Sequence, residues 1–107
     1  MSGDRVRGHL DLLVLSVLER EELHGYAVVR ALREQSGGVF DLPEGTVYPS
    51  LHRLEREGLL ESSWREAGGR RRRVYRATPA GRRAVASERR EWDRFSTGVL
   101  SVIGGRV

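Results

Sequence analysis

The sequence predicts a mainly α-helical (α+β) fold with one small β-hairpin and a long C-terminal helix. Two patterns carry this prediction. Apolar residues recur three and four positions apart in four separate segments, which is typical of amphipathic helices. Between the third and fourth segments, two stretches of β-tolerant residues flank a glycine turn at 66–70, which is typical of a hairpin. With 107 residues, 38% of them hydrophobic, the chain can form one modest core, which we expect a partner to complete.

The first two helices are short and amphipathic. One is predicted over 9–20, where the apolar residues on one face are Leu10, Leu13, Val14, Val17 and Leu18. Residues 21–23 break this pattern. The second helix is predicted over 26–35, and its apolar residues are Ala27, Val28, Ala31 and Leu32. It ends before Gly37 and Gly38, because glycine commonly follows the C-terminus of a helix.

A third helix is predicted within 41–58, with Val47, Leu51 and Leu54 directed at the core. Proline interrupts a helix interior, so Pro49 favours a helix that starts near Val47 with Thr46 as its N-cap. At about 100° per residue, the face opposite the core is small, polar and basic. That face presents Thr46, Pro49, His52, Arg53 and Arg56, with Tyr48 and Ser50 on its flanks.

The hairpin and a fourth helix complete the chain. The strands are predicted over 60–65 and 71–77, on either side of the turn. Thr78 and Pro79 then supply an N-cap hydroxyl and a proline at the first helical position, which together start a helix that reaches about Ile103. We expect Gly104 and Gly105 to end this helix.

Positive charge is concentrated in the hairpin. The net charge of the chain is +4, and residues 65–76 hold six arginines against one acid, Glu66, which gives a local charge of +5. Side chains alternate across a strand, so at least two of the consecutive arginines Arg70, Arg71, Arg72 and Arg73 point away from the core in either register. This arrangement suits a polyanionic partner.

Three short helices followed by a basic hairpin match the order of a winged helix-turn-helix unit, which we predict over 1–78. The third helix is narrow enough for the major groove of double-stranded DNA, about 12 Å wide, and Arg53 is a candidate base contact. The hairpin, or wing, then reaches the neighbouring backbone or minor groove, where Arg70–Arg73 are candidate phosphate contacts. The sequence therefore predicts a DNA-binding protein.

Other classes of function fit the sequence less well. A module that binds RNA or a protein would also suit the basic hairpin, but the sequence shows no cluster of aromatic residues for stacking unpaired bases. An enzyme is not expected, because His9, His24 and His52 fall on three different helices without cysteine, a nucleophile motif or a phosphate loop. For the same reasons we expect no metal and no cofactor. The lack of a long apolar segment predicts a cytoplasmic protein without a membrane partner.

The fourth helix, at about 25 residues and roughly 37 Å, is too long to pack on its own core alone. Its apolar seam has residues spaced 3, 4, 3, 4 and 3 positions apart, which is typical of a coiled coil. The seam consists of Val85, Glu88, Trp92, Phe95, Val99 and Val102. We therefore predict a homodimer formed through residues 79–107, which places two recognition helices about 34 to 36 Å apart on a near-palindromic operator.

Three stretches of the chain carry motifs that are specific in combination. They are Leu-His-Gly-Tyr at 23–26, Pro-Glu-Gly-Thr-Val-Tyr-Pro-Ser-Leu-His-Arg-Leu-Glu-Arg-Glu-Gly-Leu-Leu at 43–60, and Arg-Val-Tyr-Arg-Ala-Thr-Pro-Ala-Gly at 73–81. In these stretches the chain strongly resembles the PadR family of bacterial transcriptional regulators. The resemblance covers about residues 9–97, and the short C-terminal region is similar to the small subfamily of that group.

The resemblance implies a dimeric repressor of transcription that binds DNA and is often released by a small molecule. It also implies that a group of residues around the second and third helices lies near the DNA. These are Tyr26, Thr46, Tyr48, Pro49 and Ser50. Some relatives bind planar aromatic compounds between their subunits, so Trp92 and Phe95 form either part of the dimer core or the walls of an effector pocket.

Overall fold

The computed structural model describes residues 3–104, and it describes the side chains of 9–104 apart from Ala67. Within this range the elements are α1 (Gly3–Arg20), β1 (Leu23–His24), α2 (Gly25–Gln35), α3 (Glu44–Arg56), β2 (Leu60–Ala67), β3 (Arg70–Ala77) and α4 (Pro79–Ile103). The mainly helical fold with a small antiparallel sheet is the one the sequence predicts. The first helix, however, begins at Gly3 rather than at His9.

The strand β1 is an element that the sequence did not predict. Leu23 pairs with Tyr75 and His24 pairs with Val74, so β1 lies beside β3 and the order of the sheet is β1-β3-β2. A strand of two residues is too short to show the alternation by which strands are identified in a sequence. The pairing ties the start of α2 directly to the hairpin.

The hairpin turn is tighter than predicted. The strands β2 and β3 remain paired as far as Ala67 and Arg70, so the turn consists of Gly68 and Gly69 alone. Both residues have positive φ angles, 59° and 78°, a conformation that residues with a side chain rarely adopt. The two glycines therefore allow the arginines of β3 to continue up to the tip of the wing.

The predicted start of the third helix is wrong. α3 begins at Glu44 with Pro43 as its N-cap, and the backbone N–H of Thr46 already donates to the carbonyl of Pro43 at 3.0 Å. Pro49 consequently lies in the second turn, where its missing N–H leaves the carbonyl of Gly45 without the usual helical donor. Gly45 is exposed, so water can supply that hydrogen bond.

The core lies around α1, which packs against α2, α3, α4 and β3. Its buried residues come from all of these elements, and the fully buried ones include Val14, Leu18, Val28, Leu51 and Leu54. No described side-chain nitrogen or oxygen is buried without a hydrogen-bond partner.

The start of α4 is fixed closely to this core. The hydroxyl of Thr78 donates to the carbonyl of Gly58 at 2.7 Å and accepts from the N–H of Gly81, as expected of an N-cap. A Cβ atom at Gly81 would lie 2.1 Å from the carbonyl oxygen of Leu59, so only glycine fits there. At the other end, Gly104 has a φ of 83° and forms the C-cap, while Gly105 lies outside the described residues.

One residue of the predicted dimer seam belongs to the core instead. Val85 is 0% exposed in the protomer and packs with the residues of α1 and the sheet. Its assignment to the dimer interface is therefore wrong, since a side chain that is already covered cannot contact a second chain. The later seam residues remain exposed.

Candidate nucleic-acid interface

A cleft of about 430 Å³ separates α3 from the wing. The start of α2 closes one end of it, and side chains of α3, β2 and β3 form its sides. Three arginines line the cleft, and none of its described lining residues is acidic. Three tyrosines, a tryptophan and two histidines complete the polar and aromatic part of the lining, so we name it the basic cleft. Its residues are His24, Gly25, Tyr26, Tyr48, Leu51, His52, Trp64, Arg70, Arg72, Arg73 and Tyr75.

The outward stripe of α3 runs along one side of the basic cleft. It consists of Gly45, Pro49, His52 and Arg56, all exposed and spaced four, three and four residues apart. Pro49 was predicted to lie on this face, and it does. Thr46 and Arg53, also predicted there, are half-buried on the flank that faces α1. The exposed stripe is therefore narrower than the sequence suggests.

Ser50 does not face outward. Its side chain is 1% exposed, and its hydroxyl donates to the carboxylate of Asp11 in α1 at 2.9 Å. The implied placement of Ser50 near DNA is therefore corrected, because the residue fixes α3 to α1. The guanidinium of Arg53 donates to the same carboxylate oxygen, and this hydrogen bond is the main cause of the raised pKa of Arg53.

Two of the three tyrosines of the cleft, Tyr26 and Tyr48, have different environments. Tyr26 is exposed at the start of α2, with the guanidinium carbon of Arg30 located 5.4 Å from its ring centroid. Tyr48 is half-buried, and burial raises the pKa of its phenol. A Cβ atom at Gly25 would lie 3.1 Å from the ring of Tyr48, so the glycine lets α2 and α3 approach closely. Tyr48 thus joins the two helices while it lines the cleft.

The four consecutive arginines of the wing are not equivalent. Arg73 donates to the hydroxyl of Ser62 at 2.8 Å and to the carboxylate of Glu55 at 3.3 Å, so it connects the wing to α3. Arg72 contacts the ring of His24. Arg70 and Arg71 are exposed near the tip. Arg73 is exposed as well, so the run differs mainly in which of its side chains are hydrogen-bonded to other elements.

Trp64 forms an aromatic platform on the wing. It lies opposite Arg73 in the register of β2 and β3 and is exposed to solvent. The guanidinium carbons of Arg71 and Arg73 are 5.1 Å and 5.7 Å from its ring centroid, which is cation–π geometry. The ring therefore adds a second contact to Arg73, which is already hydrogen-bonded to Ser62 and Glu55, and positions the side chain of Arg71 beside it.

A second exposed surface lies on α4. Beyond residue 86 none of the described residues of this helix is buried, although the apolar seam continues. Trp92 is 41% exposed and Val102 is 87% exposed, and Phe95 and Val99 between them are also exposed. The ring of Trp92 contacts His9 of α1 at 4.9 Å and Phe95 at 5.7 Å between centroids. We name Trp92, Phe95, Val99 and Val102 the apolar stripe of α4.

Metal and membrane features are lacking in the part of the chain that the structure describes. No group of three or more histidine, cysteine or acidic residues there is placed to hold a metal ion. None of the helices described is long and apolar enough to cross a membrane.

Comparison with known protein families identifies the family of this chain. Residues 14–87, which include α2, α3 and the whole wing, match the family model of PadR-like transcriptional regulators. The chain belongs to the PadR-like family. It is also 42% identical to the transcriptional regulator Rv3488 of Mycobacterium tuberculosis, over 88% of this chain and 85% of that protein.

Solved structures of PadR-like proteins share the fold. A PadR-like transcriptional regulator from Bacillus cereus superposes with a TM-score of 0.85 at 26% identity, over 97% of this chain and all of that one. The structure of PadR from Bacillus subtilis in complex with operator DNA gives a TM-score of 0.66 at 24% identity, over 73% of this chain and 45% of that one. The latter comparison concerns the fold alone.

Two residues of this PadR-like site were missed by the sequence analysis. Trp64 is a lone tryptophan in a strand, and only the register of the hairpin shows that arginines flank it. His24 was considered only as a possible metal ligand. Its position directly before Gly25 and Tyr26 is the signal that identifies it as a helix cap, because the ring accepts from the N–H of Ala27.

Proposed function

We propose that this PadR-like regulator is a homodimeric, ligand-responsive repressor of transcription, which binds double-stranded DNA sequence-specifically and is released from it by a small molecule. The observation that carries the proposal is the basic cleft, where an exposed helix stripe and an arginine wing border one surface without acidic lining residues. A helix beside a basic wing is suited to a major groove and its adjacent phosphates. The complex of Bacillus subtilis PadR with operator DNA lends support, because that protein shares the fold.

In this proposal α3 supplies the groove contacts. Pro49 and His52 lie at the centre of its exposed stripe, with Thr46 on the flank. Tyr26 and Tyr48 contact the backbone at the start of α2, where the N–H groups and the positive end of the helix dipole attract phosphate. Arg53 retains hydrogen-bonding capacity beyond its contact with Asp11, since a guanidinium carries five N–H donors.

The wing contacts the neighbouring stretch of backbone. Arg70 and Arg71 are exposed at the tip and reach furthest along the DNA. Arg72 lies beside His24 at the start of α2 and Arg73 beside Glu55 of α3, so both act at the junction between groove and backbone. Contacts of this kind strengthen binding to every sequence, whereas α3 selects the operator.

The homodimer is formed through the apolar stripe of α4, which in the protomer exposes Trp92, Phe95, Val99 and Val102 together. Exposed apolar clusters of this kind mark interaction sites on small soluble proteins. Trp92 and Phe95 lie at adjacent turns with their rings in contact, so a planar aromatic effector that enters between the subunits would change the distance between the two recognition helices.

A fluorescence-polarisation titration tests DNA binding. The full chain is titrated against the duplex upstream of its own gene, with scrambled duplex and single-stranded RNA as competitors, at two salt concentrations. We expect specific, salt-sensitive binding of two chains per duplex. Equal, weak binding to both duplexes would contradict the proposal, and preferential displacement by RNA would replace DNA with RNA as the partner.

Variants of the wing sharpen this titration. Replacing Arg70 and Arg71 with alanine should weaken binding to specific and scrambled duplex alike. It should also lower the salt slope by up to about 0.9 for each phosphate contact that is lost. Arg33→Ala, at the end of α2 remote from the wing in sequence, is the matched loss of one charge. An unchanged salt slope in the double variant would show that the wing tip does not contact the DNA.

The variant Trp92→Ala tests the dimer. Truncation of a buried aromatic residue at the centre of an interface commonly weakens association by about 2 kcal/mol or more. We expect a shift to monomer in light scattering. Thr97→Ala, exposed elsewhere on the same stretch of α4, should leave the dimer intact. A Trp92→Ala variant that remains fully dimeric at micromolar concentration would contradict this interface.

A further inference from the structure

His24 is located where three parts of the proposed DNA-binding surface meet. It is the residue before α2, it belongs to β1, which pairs with β3, and its side chain lines the basic cleft. Its Nδ1 atom accepts a hydrogen bond from the backbone N–H of Ala27 at 3.4 Å. Its Nε2 atom lies 2.7 Å from a guanidinium nitrogen of Arg72. Both neighbours are donors, so each ring nitrogen faces an N–H group.

One imidazole ring cannot accept hydrogen bonds at both nitrogens. The neutral ring has one acceptor and one N–H donor, and the protonated ring has two donors. When Nε2 carries the proton, the cap of α2 is kept but two donors face each other at Arg72. When Nδ1 carries it, Arg72 has an acceptor but Ala27 loses the cap. Every protonation state therefore leaves a donor of this cluster without an acceptor.

We propose that His24 and Arg72 together bind one backbone phosphate of the DNA, an inference that rests on the proposed function. A phosphate oxygen can accept from both the Nε2–H group and the guanidinium. Nδ1 then remains free to accept from Ala27, and all three donors have acceptors. The same phosphate joins the start of α2 to the wing, so the helix-turn-helix and the wing bind DNA as a unit.

The charges around His24 agree with an anion site. The titratable and charged groups that line the same cleft or act on its charge are Tyr26 and Arg30 from α2, Arg70, Arg72, Arg73 and Tyr75 from β3, and Tyr48 and His52 from α3. Burial, followed by the positive charges of Arg72 and Arg30, holds the pKa of His24 below its usual range. A bound phosphate offsets those positive charges, so the pKa is higher in the complex than in the free protein.

The test uses the full chain and its upstream duplex, in which one phosphate at a time is replaced by a neutral methylphosphonate. His24→Asn keeps an oxygen that can cap α2 but removes the imidazole ring, and Arg72→Gln removes the charge. We expect wild-type affinity to fall several-fold at one particular phosphate of each half-site. Both variants should be insensitive at that same phosphate and retain the wild-type profile elsewhere.

His52→Asn is the control for loss of an imidazole from the same cleft. Because His52 lies on the groove-facing stripe of α3, the overall affinity of this variant should fall, and its phosphate profile is compared with its own affinity for unmodified duplex. It should keep sensitivity at the phosphate assigned to His24. Unaltered profiles in His24→Asn and Arg72→Gln would overturn the inference, as would loss of sensitivity at two different phosphates. A wild-type chain without specific affinity for the duplex would instead contradict the proposed function, so the two failures are distinguishable.

The pH dependence of affinity provides a second measurement. Because phosphate raises the pKa of His24, affinity should increase as the pH falls through the interval between the free and bound pKa values. The gain is about tenfold for each unit that separates them. His24→Asn should lose this increase between pH 8 and 5.5, while His52→Asn should keep it. An equal increase in His24→Asn would show that His24 does not respond to the phosphate.

Discussion

The two halves of α4 continue one apolar pattern into opposite environments. In the first half, Gly81 and Val85 are fully enclosed by the protomer, whereas from residue 87 onwards nothing in the described helix is buried. The seam spacing of three and four is the same on both sides of this boundary. Spacing therefore indicates that a helix face needs a partner but does not identify the partner. The first half packs against the core of its own protomer, whereas the second half stays exposed.

The largest expected effect is that of Gly81→Ala, which tests the enclosed half. The added Cβ would lie 2.1 Å from the carbonyl oxygen of Leu59, so the start of α4 must move away from the core. We expect the free energy of unfolding to fall by about 3 kcal/mol in urea titrations, the upper part of the range for overpacking. Gly45→Ala in α3, where nothing lies within 4 Å of the added atom, is the control and should raise stability, by up to about 1 kcal/mol, rather than lower it. A neutral Gly81→Ala would mean that the first half is not closely packed.

The two halves of α4 can also be compared by making the same substitution, valine to alanine, once in each half. Val85→Ala removes two methyl groups from a fully buried site and should lower the free energy of unfolding of the protomer by about 2 kcal/mol. Val99→Ala should lower it by less than about 0.5 kcal/mol at concentrations where the chain is monomeric, since exposed positions contribute little. At higher concentrations it should weaken association.

Urea unfolding at several protein concentrations separates these effects. The loss in Val85→Ala should be the same at every concentration, and the loss in Val99→Ala should appear only where dimers form. If both losses depended on concentration in the same way, the division of α4 into two halves would be incorrect.

The smallest expected effect concerns the boundary between the halves. Arg89 donates to the carboxylate of Glu19 in α1 at 3.2 Å, and the side chain of Arg89 is half exposed. Ion pairs of this kind contribute about 0.5 kcal/mol and are screened by salt. Arg89→Ala should therefore lower stability slightly at low ionic strength and not at 1 M salt. Arg90→Ala, its exposed neighbour, should have less effect, and a larger loss for Arg90 would place the boundary elsewhere.

The fold was predictable where local patterns and tertiary contacts agree. The periodicities of α2 and α4, the glycine turn of the hairpin and the Thr78 cap all correspond to features of the structure. α3 departs from its prediction because the local rule on proline gave too late a start, whereas packing of Val47, Leu51 and Leu54 holds the helix together through Pro49. β1 contains too few residues to produce a pattern of its own.

The candidate site was predictable in its charge but not in its pairings. The arginine run identifies the wing as basic, but it does not distinguish Arg73, which contacts Glu55, from Arg71. The partner of Arg73 is 18 residues away in the sequence, and the partner of Arg72 is 48 residues away. Ser50 was misplaced for the same reason, since Asp11 is separated from it by 39 residues. Only the fold brings such residues together.

The pairing of Leu23 and His24 with β3 also sets how much the molecule can adapt to its target. It joins α2 to the wing through backbone hydrogen bonds, while Arg73 joins the wing to α3. The distances between α2, α3 and the wing are therefore fixed within one protomer. For a protein that binds DNA, the length of each half-site is then dictated by the protein. One inserted base pair, about 3.4 Å, would misalign every wing contact within that half. In the proposed homodimer, tolerance for variable spacing would then lie between the half-sites, at the contact formed by the exposed half of α4.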